Sequence, residues 1–436
     1  MKEGIAFSKY PALYDLESRH EVDLGVAYKN DVSAKCFTHY LAQSQRDHFV
    51  CSLSKSHYFS FLMDGRTDSG KVEDELVVVL HCKQDDIVKE IRTCARYLSV
   101  VTPNKADTDG LVDCLKEALK RLKIDDVLDK DDVLASKPVL IGGGTDGASV
   151  NVGQHNSMRA KLQDALQWMF WAWCYALRLE LASKNGLISK LFKEIEEMLL
   201  RLYYLYEKSP KKTRELASIV EDLKEAFDFP GSGNVPIRFQ GSRWINHKRR
   251  ALQRVTDRYG AYISHLIALS EDITVKSEDR ARLKGYIQKW THAKFLVGCA
   301  MYVEVLKPPS ILSLSLQGSD VDIIFGIKQL LKASTTLISM VKQDPLQWPT
   351  VKLILDRVKN EGGENVYQGV TLKKYDTATL SYCSGEALAD LERLTEKMRE
   401  RLEWSDTNLL RALLVFLETQ SWMKRNVSGE EGDWLN

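Results

Sequence analysis

A chain of 436 residues is long enough for two or three domains, each with its own core. Its 61 basic and 60 acidic residues leave a net charge of +1, so no global field draws it to nucleic acid or membrane; such a site must be a local patch. The longest uninterrupted apolar run, residues 168–177, has ten residues, against roughly 18 for a membrane span. The first residues lack the apolar stretch of a signal peptide. Eight cysteines without regular spacing read as reduced thiols, most of them buried. A soluble, intracellular protein is expected.

Residues 31–44 read as a helix within a helical lead-in over 1–50. From residue 56 the hydrophobic period shortens to two: 57–64 and 74–82 predict strands, and 89–99 a weaker third. Residues 107–123 place Leu111, Cys114, Leu115, Ala118, Leu119 and Leu122 on one helical face behind an acidic first turn. A buried strand over 138–142 follows, then a short amphipathic helix over 157–166 and an aromatic fifth strand over 168–174. The order β-β-β-α-β-α-β demands a mixed sheet covered by helices. Five aspartates within 125–132 read as a solvated loop.

Beyond residue 178 the strand signals nearly vanish. Helices are expected over 179–206, 211–227, 248–269, 278–306, 320–341 and 385–404. Breaks rich in proline and glycine fall at 229–236 and 307–309, and another at 344–349. The chain is therefore mostly helical, with an α/β core over 51–185 and a helical domain over 186–436.

Asp64 closes the first strand and Asp146 follows the fourth. Carboxylates raised on neighbouring strand ends are how a fold holds Mg²⁺ for phosphoryl transfer, because the ion takes one or two carboxylates and leaves room for phosphate oxygens. Asp-Gly at both places is also favoured turn chemistry. Gly142, Gly144 and Gly147 match a dinucleotide fingerprint, but the next helical pattern begins only near Ser157, which favours a tight strand exit. Residues 238–254 hold six basic side chains and no acidic one. Among them Arg243, Trp244, Lys248, Arg249 and Arg250 form a candidate nucleic-acid contact, an indole to stack and cations to neutralise phosphates. A core tryptophan beside a solvated basic helix face is the competing reading. Cys36, His39, His48 and Cys51 have zinc-type pair spacings in an order that matches no known finger.

Four landmarks together resemble the RNase H-like core of hAT-superfamily transposases and their domesticated descendants. They are the run Met63-Asp64-Gly65-Arg66-Thr67-Asp68, the run Gly144-Thr145-Asp146-Gly147-Ala148-Ser149, residues 173–182, and Ser242-Arg243-Trp244. All lie in the family's order, and the closest look-alikes are its zinc-finger-like and SUMO-ligase-like derivatives. The resemblance implies an RNase H-like fold interrupted by a large all-α insertion, a nuclear location and an ancestral DNA substrate. It makes Asp64 and Asp146 two of three acidic Mg²⁺ ligands, and Trp244 a stabiliser of a flipped base.

This sequence departs from the pattern in two places. Leu177 stands where the family has histidine, which breaks a pair with Cys174. No segment resembles the one that carries the family's third carboxylate. Glu386, Glu392, Glu400 and Glu418 lack its context, and Asp68 is a neighbour that could substitute. The final RNase H helix and the dimerisation segment are expected to be missing. A catalytically inactive remnant that binds DNA or protein, with no resident cofactor and no membrane, is therefore expected. A residual Mg²⁺-dependent nuclease and a fragment without a role stay open, and the sequence sets no oligomeric state.

Overall fold

The computed structural model describes residues 6–67, 72–84, 91–124, 128, 138–227, 229, 233–239, 244–318 and 323–402. The chain divides into two compact units after Cys174. The first opens with helices α1 (Tyr10–Arg19) and α2 (Asp31–Leu53), followed by strands β1 (Tyr58–Thr67), β2 (Glu73–Gln84) and β3 (Ile91–Val101). Helix α3 (Thr108–Lys120), strand β4 (Val139–Thr145), helices α4 (Ser149–Val152) and α5 (Met158–Ala165), and strand β5 (Phe170–Trp173) complete it. The strand order is β3-β2-β1-β4-β5, with β1–β2 and β2–β3 antiparallel, and β1–β4 and β4–β5 parallel. This is a mixed five-stranded sheet in an α/β unit.

One face of that sheet carries the core. Phe59, Phe61 and Met63 alternate inward on β1, as do Val77 and Val79 on β2. They pack under Phe49 and Leu53 of α2, Leu111, Leu115 and Leu119 of α3, and Met158 and Leu162 of α5. The helices begin where caps dictate: the side chains of Asn30, Asp107 and Ser157 accept from Ser33, Gly110 and Ala160 amides. The opposite face leaves Tyr58, Leu62, Leu76, Tyr97, Val100 and Phe170 exposed. Helix α2 runs nine residues past the expected end, to Leu53.

The second unit is helical apart from one small sheet. Its helices are α6 (Tyr175–Gly186), α7 (Lys190–Glu207), α8 (Pro210–Leu223), α9 (Trp244–Asp257), α10 (Tyr259–Glu271), α11 (Ser277–Trp290), α12 (Ala293–Val305), α13 (Lys307–Ser315), α14 (Ile323–Val341) and α15 (Pro349–Asp356). Strands β6 (Lys359–Glu361), β7 (Glu364–Tyr367) and β8 (Val370–Thr371) precede the last described helix, α16 (Thr377–Leu402). Helix α12 is buried at every position but Lys294 and is the centre of the core, touching α7, α9, α15 and α16. The stretch Ala293–Ser315 is long and apolar enough to cross a membrane, but 89% of its apolar 18-residue window is buried inside the protein, as expected of a core helix.

Two expectations change here. The single helices predicted over 179–206, 248–269 and 278–306 are each two helices, because caps and turns interrupt a continuous apolar spacing. Ser189, for example, caps α7 by accepting from the Phe192 amide at 3.1 Å. The small sheet was not anticipated. Its strands are short and polar, and the β6–β7 hairpin turns through Gly362 and Gly363, both at positive φ (61° and 92°).

Candidate functional site

The parallel register of β1 and β4 pairs Leu62 with Gly144. Two residues further on stand Asp64, which does not close β1 as expected because the strand continues to Thr67, and Asp146, just beyond β4; the register sets both level past the last β1–β4 pair. Burial and the Asp146 charge push the Asp64 carboxyl above its ordinary value. Asp146 is partly committed: its Oδ1 accepts from the Ala148 amide at 3.1 Å and the Asn151 side-chain amide at 2.7 Å. That is the turn chemistry of the competing reading, built into the same residue.

The glycines before Asp146 serve packing. A Cβ on Gly143 would stand 2.7 Å from Phe61 Cζ, and one on Gly147 2.3 Å from the Trp173 ring. Only the four-residue α4 follows before α5 begins at Met158, so no helix N-terminus stands ready for a pyrophosphate.

A third carboxylate feels both aspartates, and it is one that sequence reasoning missed. Glu75 pairs with Gly65 across β1–β2 and is 6% exposed. Burial, first, and then the charges of Glu73, Asp146 and Asp64 push its carboxyl up to about 7. Gly65 makes room for it, since a Cβ there would lie 2.7 Å from Glu75 Oε1. Strand alternation, however, puts Glu75 on the helix-covered face with Val77 and Val79, and Asp64 on the other face with Tyr58 and Leu62. Among the described residues no three His, Cys, Asp or Glu side chains gather in a way that could hold a metal ion. The signal in the sequence was a glutamate in the inward parity of an apolar strand.

The other carboxylates have different tasks or lie elsewhere. Glu386 accepts from the Leu191 amide at the start of α7 (3.2 Å), Glu400 pairs with Lys397, and Glu392 is exposed; all three belong to the second unit. Asp68 and Glu418 lie outside the described residues, as does the acidic stretch 125–132 apart from Leu128.

The basic segment forms α9, and its key cation points inward. Glu180 holds the helix N-terminus by accepting from the Ile245 amide at 3.1 Å. Lys248 pairs with Glu196, and its Nζ lies 4.1 Å from the Trp244 ring centroid and 4.8 Å from that of Phe239. Burial pulls the Lys248 amine down to about 7, with Glu180 opposing, and the ion pair with Glu196 also works against that shift. Trp244 is half-buried against the helical core. Arg249 is half-buried, Arg250 is exposed, and Arg243 lies outside the described residues. So Trp244 and Lys248 are joined to each other, and Arg238 and Arg250 are the described cations turned to solvent. Replacing Lys248 with methionine should destabilise the helical unit by about 1–2 kcal/mol. Thermal unfolding would read that loss, and the salt dependence of any DNA binding should not change.

Cys36, His39, His48 and Cys51 all lie on α2, where Cys36 and Cys51 are separated by about 22 Å of helix rise. They cannot meet on one ion. Against the expectation that most cysteines are buried, only Cys114, Cys299 and Cys383 are; Cys174 is exposed at the end of β5, its amide donating to the Thr145 carbonyl at 3.1 Å. Leu177 is half-buried at the start of α6. No family model matches this chain, and no curated protein matches it either.

Proposed function

We propose that the chain is a transposase-derived binding module that has lost phosphoryl transfer. The observation that carries this reading is the paired geometry of Asp64 and Asp146. Two carboxylates stand level just past the last β1–β4 pair, an arrangement in keeping with the hAT resemblance. Yet one Asp146 oxygen is spent on a turn, the carboxylate coupled to both, Glu75, belongs to the opposite sheet face, and Asp74, on the face of Asp64, accepts from the Thr102 hydroxyl. Two-metal catalysis needs negative charge converging from one side to offset two close cations.

The binding half of the reading leans toward protein. Six large apolar side chains stay exposed on one sheet face, and parallel strands ordinarily have both faces covered. Helix α9 favours nucleic acid less, because Lys248 and Trp244 are engaged within the unit. The second reading, a residual Mg²⁺-dependent nuclease, draws on the electrostatic coupling of Glu75 to both aspartates.

A supercoiled-plasmid assay separates the two. The expected result is no nicking with Mg²⁺ or Mn²⁺ at any pH between 6 and 9. Metal-dependent nicking that disappears in Asp64→Asn would sink the proposal. If DNA is bound, Arg249→Ala with Arg250→Ala should lower the slope of log affinity against log salt by about 1–2. An unchanged slope would remove α9 from the interface.

A further inference from the structure

Helix α2 lies beside the outer strands of the first unit, and a cavity of about 620 Å³ opens between them. Its walls carry Arg46 and His48 from α2, and His81 and Arg96 from β2 and β3. The antiparallel register pairs Val79 with Arg96, so Arg96 projects from the same face as the buried Val79 and His81, toward the helix. Phe49 and Leu98, 6% and 1% exposed, add an apolar floor. His81 is fixed in place: Ser56 Oγ donates to the Cys82 carbonyl at 2.9 Å and therefore accepts from His81 Nδ1 at 3.0 Å.

The charge of this cavity is one-sided. No Asp or Glu is among the described residues that line it, and neither Arg46 nor Arg96 has a hydrogen bond or ion pair among the described residues. Two guanidinium groups, unpartnered among the described residues, line the cavity beside an apolar floor.

We propose that this cavity binds a small phosphate monoester, with the phosphoryl group between Arg46 and Arg96 and the organic part on Phe49 and Leu98. The charge match favours phosphate over carboxylate. Two arginines supply two positive charges, a monoester carries about −1.5 to −2 at neutral pH, and a carboxylate would leave one guanidinium uncompensated. Guanidinium forks also match phosphate oxygens two at a time. The volume suits a small organic ligand, being several times that of a bare phosphate. None of these residues belongs to the pair Asp64 and Asp146, so the inference stands apart from the transposase reading.

Calorimetric titration of the full chain with adenosine monophosphate, glucose 6-phosphate and inorganic phosphate tests it. At least one organic monoester should bind below about 1 mM, and more tightly than inorganic phosphate. Preference between the two monoesters assigns the source as nucleotide or sugar phosphate. Arg46→Ala and Arg96→Ala should each weaken binding by about tenfold or more. Arg96 is exposed and Arg46 half-exposed, so circular dichroism should show both variants folded. Three outcomes each overturn the proposal. These are no binding of any probe at about 10 mM, equal affinity for inorganic phosphate and the esters, or affinity unchanged in both arginine variants.

Discussion

Replacing Asp390 with alanine should cost the helical unit about 3–5 kcal/mol, the largest effect expected of any single side chain in it. The Asp390 carboxylate is fully buried on α16. It accepts from the Ile188 and Ser189 amides at 3.2 and 3.0 Å, from the Tyr302 hydroxyl at 2.7 Å, and from the Arg393 guanidinium. Through these bonds one side chain ties α16 to the N-terminus of α7 and to the central helix α12. Ser189 closes the circuit, its hydroxyl lying 2.6 Å from that of Tyr302 while it caps α7. Alanine would strand three donors in a dry interior, where each carries its own desolvation cost, and would unpair the half-exposed Arg393 guanidinium. Asparagine keeps the shape but turns an NH₂ group toward donors, and should cost about 1–3 kcal/mol. Urea unfolding of Asp390→Ala, Asp390→Asn and the exposed-site control Glu392→Ala would measure this. The control should fall within about 0.5 kcal/mol of the parent. An Asp390→Ala midpoint that matches the control would mean that the network is not what joins these helices.

Asp390 also marks the limit of what a sequence discloses. Its partners Ser189 and Tyr302 are far away in the chain, and nothing local separates it from a helix-surface carboxylate. The strands β1 and β2 and helix α3 were legible because each buries one side, which leaves a period of two or of three to four in the residues themselves. The division of 179–206 into α6 and α7 was not, because the apolar spacing runs through the break and the stop comes from Ser189 and a distant carboxylate. The small β6–β8 sheet carried a signal in Gly362-Gly363, but strands of two to four residues have too little alternation to read.

The candidate site divides in the same way. Asp64 and Asp146 were legible because each follows a local apolar run, although β1 continues past Asp64 to Thr67, and the parallel register sets them level. The direction of a side chain on a helix was not. The sequence shows six basic residues in 238–254, four of them on α9, yet only packing reveals that Lys248 turns into a cluster of rings and toward Glu196. The same holds for Arg46 and Arg96, unremarkable in sequence: the β2–β3 register places Arg96 at the cavity that α2 lines with Arg46.

Glu75 offers the second large effect, and it is one of pH. Its carboxyl, ordinarily near 4.5, is pushed up to about 7 in the folded chain by burial and by the charges of Glu73, Asp146 and Asp64. Below pH 4.5 the group is protonated whether the chain is folded or not, and it contributes nothing to the balance. Between 4.5 and 7 the unfolded chain releases this proton while the folded chain keeps it, so stability falls as pH rises through that window. Above 7 the full penalty stands, of the order of 2–3 kcal/mol. Glu75→Gln removes the titration, keeps the shape, and offers an amide donor toward the neighbouring carboxylates. The variant should match the parent near pH 5 and exceed it by about 2 kcal/mol at pH 8. Denaturant unfolding across pH 5–8, with hydrogen exchange over residues 73–101 to assign the change to the sheet, would show whether it does. The same curves separate two accounts of why a glutamate sits there. If Mg²⁺ raises the parent's midpoint at pH 8 but not that of Glu75→Gln, the carboxylate has a cation partner and the nuclease reading gains ground. If Mg²⁺ leaves both unchanged, Glu75 is a cost carried by the fold at neutral pH with no cation to offset it.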